Sequence, residues 1–268
     1  ASSFLAYGGT MQIVRADDQT IRNATDDGDD IKIKGGEHYQ QLGYDESTLA
    51  TTIISAKNPG TWANGIKIAI IDGLADQVLG VTTTNSSDGI TIGSIVTQDV
   101  PVGAVEVGNG VTTPLDGQFK GTVTDIGTGT ISVKLTHHVS AAGIVRVKDY
   151  SDSGVFRFGT VKNLGITTAG QSTEWTSSLD VTGASDWFEA QNINITGGAI
   201  IEWDALASRP GTSAYAAERG ARFDEVHIVV IDDLGQVTGN AGTILEKHLS
   251  LSKAKDAEYS VGSSSYWR

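Results

Sequence analysis

From Gly73 to Ile200 the sequence is cut into short pieces rich in Thr, Val and Ile, with Gly, Asn and Asp turn signals about every 8–12 residues. "GVTTTNSSDGITIGSIV" (80–96), "GQFKGTVTDIGTGTISVKLTHHV" (117–139) and "GIVRVKDYSDSGVFRF" (143–158) have this texture. Such punctuation leaves no room for long helices and favours a small β domain of short strands joined by tight turns. No fixed-period repeat organises the pieces. Thirty-three glycines against four prolines, with few aromatics, fit many turns and short strands rather than disorder.

The flanking segments differ. Residues 2–7, the Gly8-Gly9 pair and "TMQIVRA" read as a helix end, a glycine turn and a strand. Residues 17–47 are polar, Gly-rich and locally acidic, which suggests a loop. In "NPGTWANGIKIAIIDG", Pro59-Gly60 supplies a turn, and the alternating Ile66, Ile68 and Ile70 predict a well-buried strand over 65–72. "QNINITGGAIIEW" (191–203) reads as a strand pair around Gly197-Gly198, and 207–223 as a connector punctuated by Pro and Gly. In "EVHIVVIDDLGQVTGNAGTILEKHLSLSKAKDA" (225–257), apolar residues on both faces of 226–231 predict a buried strand. Thr243 and Glu246 have the spacing of a capping box, and Ile244, Leu245, Leu249 and Leu251 the stripe of a helix.

The expected fold class is therefore mixed, α+β or α/β. A discontinuous α/β body spans 1–81 plus 205–268, and a β-rich outer domain is inserted at 82–204. The chain has 268 residues, enough for a substantial core. It begins with Ala and ends in "SYWR", which suggests a piece of a longer protein. The net charge of -13 opposes a phosphate backbone, so nucleic acid is not an expected partner. No apolar run approaches the length of about 20 residues that spans a bilayer, and membrane insertion is not expected. Cysteine is absent, which excludes disulfides, thiolate metal ligands and a cysteine nucleophile.

Asp232 and Asp233 are the strongest candidates for chemistry, because carboxylates after a buried strand can hold magnesium in phosphoryl transfer. Such a site needs a phosphate loop and further acids. Neither G-x-x-x-x-G-K-[ST] nor a G-x-G-x-x-G after a strand occurs. Asp233, Leu234, Gly235 and Gln236 read instead as a tight turn. His137 and His138 would point to opposite faces of a strand and could not readily share an ion. His38, His227 and His248 read as surface or packing residues. "DDGDD" (26–30) lacks the spaced ligands and terminal Glu of a calcium loop. Trp62 reads as an anchor at the edge of the core, and Trp175 and Trp187 as interface candidates. No catalytic, cofactor-binding or metal residue is assigned, no cofactor is expected, and the chain is not expected to be an enzyme.

Three stretches resemble the tail sheath proteins of contractile-tail bacteriophages. "FLAYGGTMQIVRA" (4–16) is similar to their helix, Gly-Gly turn and strand. "AKNPGTWANGIKIAI" (56–70) resembles their Pro-Gly, aromatic, Asn and alternating-strand signature. "FDEVHIVVIDDLGQVTGNAGTILEKHLSLSKAKDA" (223–257), the most specific, resembles their strand, turn and "LE…LS-A-DA" helix. Together they cover about a quarter of the chain. The resemblance implies a structural virion protein, located in the tail and assembled in the host cytoplasm. It implies polymerisation around a tail tube and contraction that drives the tube through the host envelope for genome ejection. The implied partners are other sheath subunits in a helical lattice, the tail tube and baseplate proteins. It further implies an N-terminal extension and a C-terminal region outside these residues, which exchange strands between neighbouring subunits. The alternatives are a β-rich surface or receptor-binding module at 82–204, and a metal-dependent phosphotransferase using Asp232 or Asp233.

Overall fold

The computed structural model describes residues 20–26, 28, 31–41, 52–82, 90–100, 105–108, 111–114, 116–147, 158, 164–167 and 177–267. The helical and strand expectations at 2–16, and Trp175, lie outside them. The chain divides into two compact units, residues 1–67 with 232–243 and residues 68–231 with 244–268. This division does not follow the boundaries near 82 and 205 that composition suggests. The described residues are predominantly β.

In the first unit, the region read as a loop holds one short helix, α1 (Gly36–Gln41), and a 3-10 turn spans Thr61–Gly65. Asn23 organises the loops around it. Its Nδ2 donates to the carbonyls of Ile33 and Ala56 at 3.0 and 2.6 Å, and its Oδ1 accepts from the Ile33 amide at 2.6 Å. Ile31 and Ile33 are buried beside it. Asp26, from the acidic run, accepts from the amides of Ile53 and Ile54 and so serves as a loop fastener.

The second unit carries most of the strands. In chain order these are β1 (Ile66–Asp72), β2 (Gln77–Val81), β3 (Ile95–Asp99), β4 (Val105–Gly108), β5 (Val111–Pro114) and β6 (Gln118–Gly127). There follow β7 (Thr130–Val139), β8 (Val145–Val147), β9 (Leu164–Thr167), β10 (Ser177–Leu179) and β11 (Val181–Asp186). The last are β12 (Asn192–Asn194), β13 (Ile200–Glu202), β14 (Glu225–Asp232), β15 (Thr243–Ser252), β16 (Glu258–Ser260) and β17 (Ser263–Ser264). A one-turn helix, α2 (Ala214–Glu218), lies in the connector before β14.

An eight-stranded antiparallel sheet runs β10-β9-β3-β6-β7-β2-β11, with β8 also beside β7. Its longest hairpin, β6 and β7, comes from the "GQFKGTVTDIGTGTISVKLTHHV" segment. The alternation of that hairpin buries Phe119, Val123, Ile131, Val133 and Leu135 with Leu79, Val96 and Leu164 in one core. Gly117, at the entry to β6, has φ +83, and a Cβ there would lie 2.0 Å from the Val139 carbonyl. Only glycine fits that close approach. β2, which composition assigns to the body, is a member of this sheet.

A separate three-stranded sheet has the order β1-β14-β15. Its inner face packs Ile71, Val229, Ile231 and Ile244 with Ala75, Trp187, Phe188, Ile193, Ile195 and Trp203 in a second core. β12 and β13 form the expected hairpin around Gly197 and Gly198, whose φ values are 103° and 97°.

Three expectations are corrected. The helix at 243–255 is a strand, β15, over Thr243–Ser252. Thr243 Oγ1 donates back to the Asn240 carbonyl at 2.8 Å and caps no helix. Glu246 lies 2.9 Å from His248, a contact between residues i and i+2 that an extended chain allows and a helix does not. The stripe of Ile and Leu is ambiguous between the two periods, and pairing with β14 decides it. The strand at β1 is as expected, but its alternating isoleucines are not buried: Ile68 and Ile70 are 37% and 45% exposed. Only Ile71 and the partly buried Ala69 face the core. Trp187, an expected interface residue, is a core residue, whereas Trp62, the expected core anchor, is exposed.

Candidate functional site

The end of β14 carries the two aspartates, and each has a structural task. Asp232 is fully buried. Its Oδ2 accepts from the amides of Val237 and Thr238 at 3.0 and 2.7 Å and from Thr238 Oγ1 at 2.8 Å. Its own carbonyl accepts from the Gly242 amide at 2.8 Å, which closes the 233–242 turn. Burial pushes the Asp232 carboxyl up, but the hydrogen bonds from Thr238, Val237 and Gln236 together outweigh it and hold the carboxyl below the usual range. Its Oδ1 is buried and accepts no hydrogen bond from a described residue. Asp233 lies 3.0 Å from Lys67 Nζ, and its amide donates to the Gly65 carbonyl at 2.8 Å. Among the described residues no group of three or more His, Asp or Glu is arranged to hold a metal ion. The pair fixes a corner, in which Asp232 Oδ2 fastens the turn backbone and Asp233 pairs with Lys67.

The histidines are separated as well. His138 is buried against Phe119, with ring centroids 5.5 Å apart, and its Nε2 contacts the Asp116 carbonyl. His137 is on the opposite face beside Thr136, and its pKa is lowered by burial and by the nearby Lys120 charge. His227 is buried in β14 and spans two partners. Nε2 donates to the Ser208 carbonyl at 2.8 Å, and Nδ1 accepts from the Ser250 amide at 2.9 Å. That pattern defines the neutral ring with its proton on Nε2. It also supports Ser250, a non-glycine residue at φ 54°. His227→Leu removes the donor to the Ser208 carbonyl and the acceptor of the part-buried Ser250 amide, with an expected loss of about 1–2 kcal/mol in denaturant unfolding. His227→Gln, which can both donate and accept, should recover part of that loss.

No single local signal marks the polar cluster at Asp224, which joins three distant segments. Its Oδ1 accepts from the Ser213 amide at 2.9 Å, and its Oδ2 from Ser213 Oγ at 2.7 Å and from Ser252 Oγ. Ser213 Oγ also accepts from the Ala216 amide at 3.1 Å and so caps α2. The cluster holds the connector to the end of β15.

The remaining feature is a surface. Ile71, Val229, Ile231 and Ile244 point into the second core, so the alternation of each strand turns Ile68, Ile70, Ile228, Val230 and Leu245 to the opposite face of the sheet. Ile228, Val230 and Leu245 are half-buried, while Ile68 and Ile70 on the edge strand are exposed. Neighbouring apolar side chains of this size on an edge strand are a feature of surfaces that receive another chain.

No model of a known family matches the sequence, and no curated protein or solved structure matches it either.

Proposed function

We propose that the chain is a structural subunit of a contractile tail sheath, which polymerises around a tail tube and contracts to drive the tube through the host envelope. The observation that carries the reading is the apolar outer face of the β1-β14-β15 sheet. It is built from the same two stretches, 56–70 and 223–257, that resemble sheath proteins. A chain that works by assembly needs such faces, and its candidate acids can be spent on turns rather than on substrates.

In this reading the three-stranded sheet with its core belongs to the body, and the eight-stranded sheet, which includes β2, is the outer β-rich domain. The partners are further copies of the subunit, the tail tube and the baseplate. The work of contraction is stored in subunit contacts, with an extended lattice that is kinetically trapped above a contracted one. No bond chemistry is required. Ultracentrifugation with preformed tail tubes tests this. The native polypeptide should pellet with the tubes in a saturable ratio, and its remaining in the supernatant at every concentration would count against the proposal.

A further inference from the structure

Two short links connect the two cores of the second unit. Residues 73–76 lead from β1 into β2, and residues 187–191 lead from β11 into β12. Among the described residues the apolar membership of the cores does not overlap, and Val78 is the one apolar residue of the eight-stranded sheet packed against the second core. Much of the coupling between the cores is therefore polar.

Asp76 closes the first link and Asp186, the last residue of β11, immediately precedes the second, and both are buried. Arg209, from the connector between β13 and β14, reaches both. Its Nη2 donates to Asp186 Oδ1, while its Nη1 lies 3.6 Å from Asp76 Oδ1 and donates to the Asp76 carbonyl at 3.4 Å. The guanidinium carbon also lies 5.8 Å from the centre of the Phe188 ring, a member of the second core. Lys134 of β7 fastens the first link again. Its Nζ donates to the Gly73 carbonyl at 2.6 Å and sits 3.7 Å from Asp76 Oδ1. Asp76 Oδ2 accepts from the Leu135 amide at 2.8 Å, and the Asp76 carbonyl accepts from the Trp187 amide at 3.0 Å. The entering and leaving strands are thus tied to each other by the Arg209 guanidinium and by the backbone bond from Trp187 to Asp76, while Asp76 and Lys134 tie the first link to β7.

We propose that Arg209 is a mechanical clamp that makes the eight-stranded sheet and the three-stranded sheet behave as one cooperative body. The planar fork suits the task because it can meet two carboxylates in different directions, which an ammonium cannot do with the same geometry. Without it two buried carboxylates lose a shared counter-charge, and the links are left to Lys134 and to backbone bonds. The consequence is local: the cores can open separately instead of together.

Hydrogen exchange read by mass spectrometry tests this in wild type, Arg209→Ala and Arg209→Lys. In wild type, peptides from β6 and β7 and peptides from β14 should exchange at a common slow rate through global opening. In Arg209→Ala, β14 and residues 187–206 should exchange at least about tenfold faster than β6 and β7, with the far-ultraviolet circular dichroism unchanged. Arg209→Lys should fall between the two, and it decides the matter alone should Arg209→Ala fail to fold. Equal acceleration of both sets of peptides would reduce the clamp to an ordinary stabilising contact and overturn the proposal. No change in either set would overturn it as well.

Discussion

Lysine in place of both Ile68 and Ile70 should leave the chain folded and stop its assembly. The two side chains are 37% and 45% exposed, and a lysine stem can retain part of the apolar contact each makes, so the double replacement should cost about 1–2 kcal/mol of unfolding free energy. The same change places two ammonium groups on an apolar face that in the proposed lattice is covered by a neighbouring subunit. Burying an unpaired charge there costs several kcal/mol per contact, and the contact recurs at every subunit, so growth should fall by orders of magnitude. Sedimentation velocity with thermal unfolding separates the two effects. Loss of stability with assembly intact would mean that the face is covered within the subunit. Ile71→Lys, by contrast, enters the second core and should unfold the chain.

Asp224→Ala should be among the most destabilising single substitutions at a polar residue, at about 3–5 kcal/mol. It leaves the Ser213 amide and the hydroxyls of Ser213 and Ser252 without their acceptor, and it releases the connector from β15. The pH dependence follows from the same bonds. Burial raises the Asp224 carboxyl, but the Ser252 and Ser213 hydrogen bonds together hold it below the usual range. Burial likewise raises Asp186, and the Arg209 hydrogen bond and charge, with the amides of Glu189 and Phe188, more than reverse it. A carboxyl with a lowered folded-state pKa contributes stability that is present in full above its unfolded value of about 3.9 and is lost as the pH falls through the folded value. Urea midpoints should therefore be flat with respect to these groups near neutrality and fall steeply below about pH 4. Asp224→Asn should lower the neutral midpoint and flatten the acid limb. An unchanged acid limb would show that Asp224 is not among the groups responsible.

Much of this fold is written locally. The turns at Gly117 and Gly197-Gly198, the β6-β7 hairpin and the apolar run of β14 all carry period-2 alternation or turn residues at fixed positions. The corner at Asp232 was legible for the same reason: a carboxylate between a buried strand and a glycine turn has unpaired amides within reach. β15 was not, because a T-x-x-E spacing and an Ile/Leu stripe satisfy a helix as well as a strand, and only β14 beside it decides. Alternation also could not tell which face of β1 is covered, so Ile68 and Ile70 looked like core. Asp76, Lys134, Asp186 and Arg209 are separated by up to 133 residues and have no shared pattern in the sequence. Their meeting is a property of the folded chain alone.

Negative-stain electron microscopy of the native polypeptide, concentrated with and without tail tubes, tests the central claim most directly. The sheath reading predicts tubes of uniform diameter built from stacked rings, and predicts that Ile68→Lys/Ile70→Lys abolishes them. Dispersed particles at all concentrations, with tubes neither coated nor seeding growth, would contradict it.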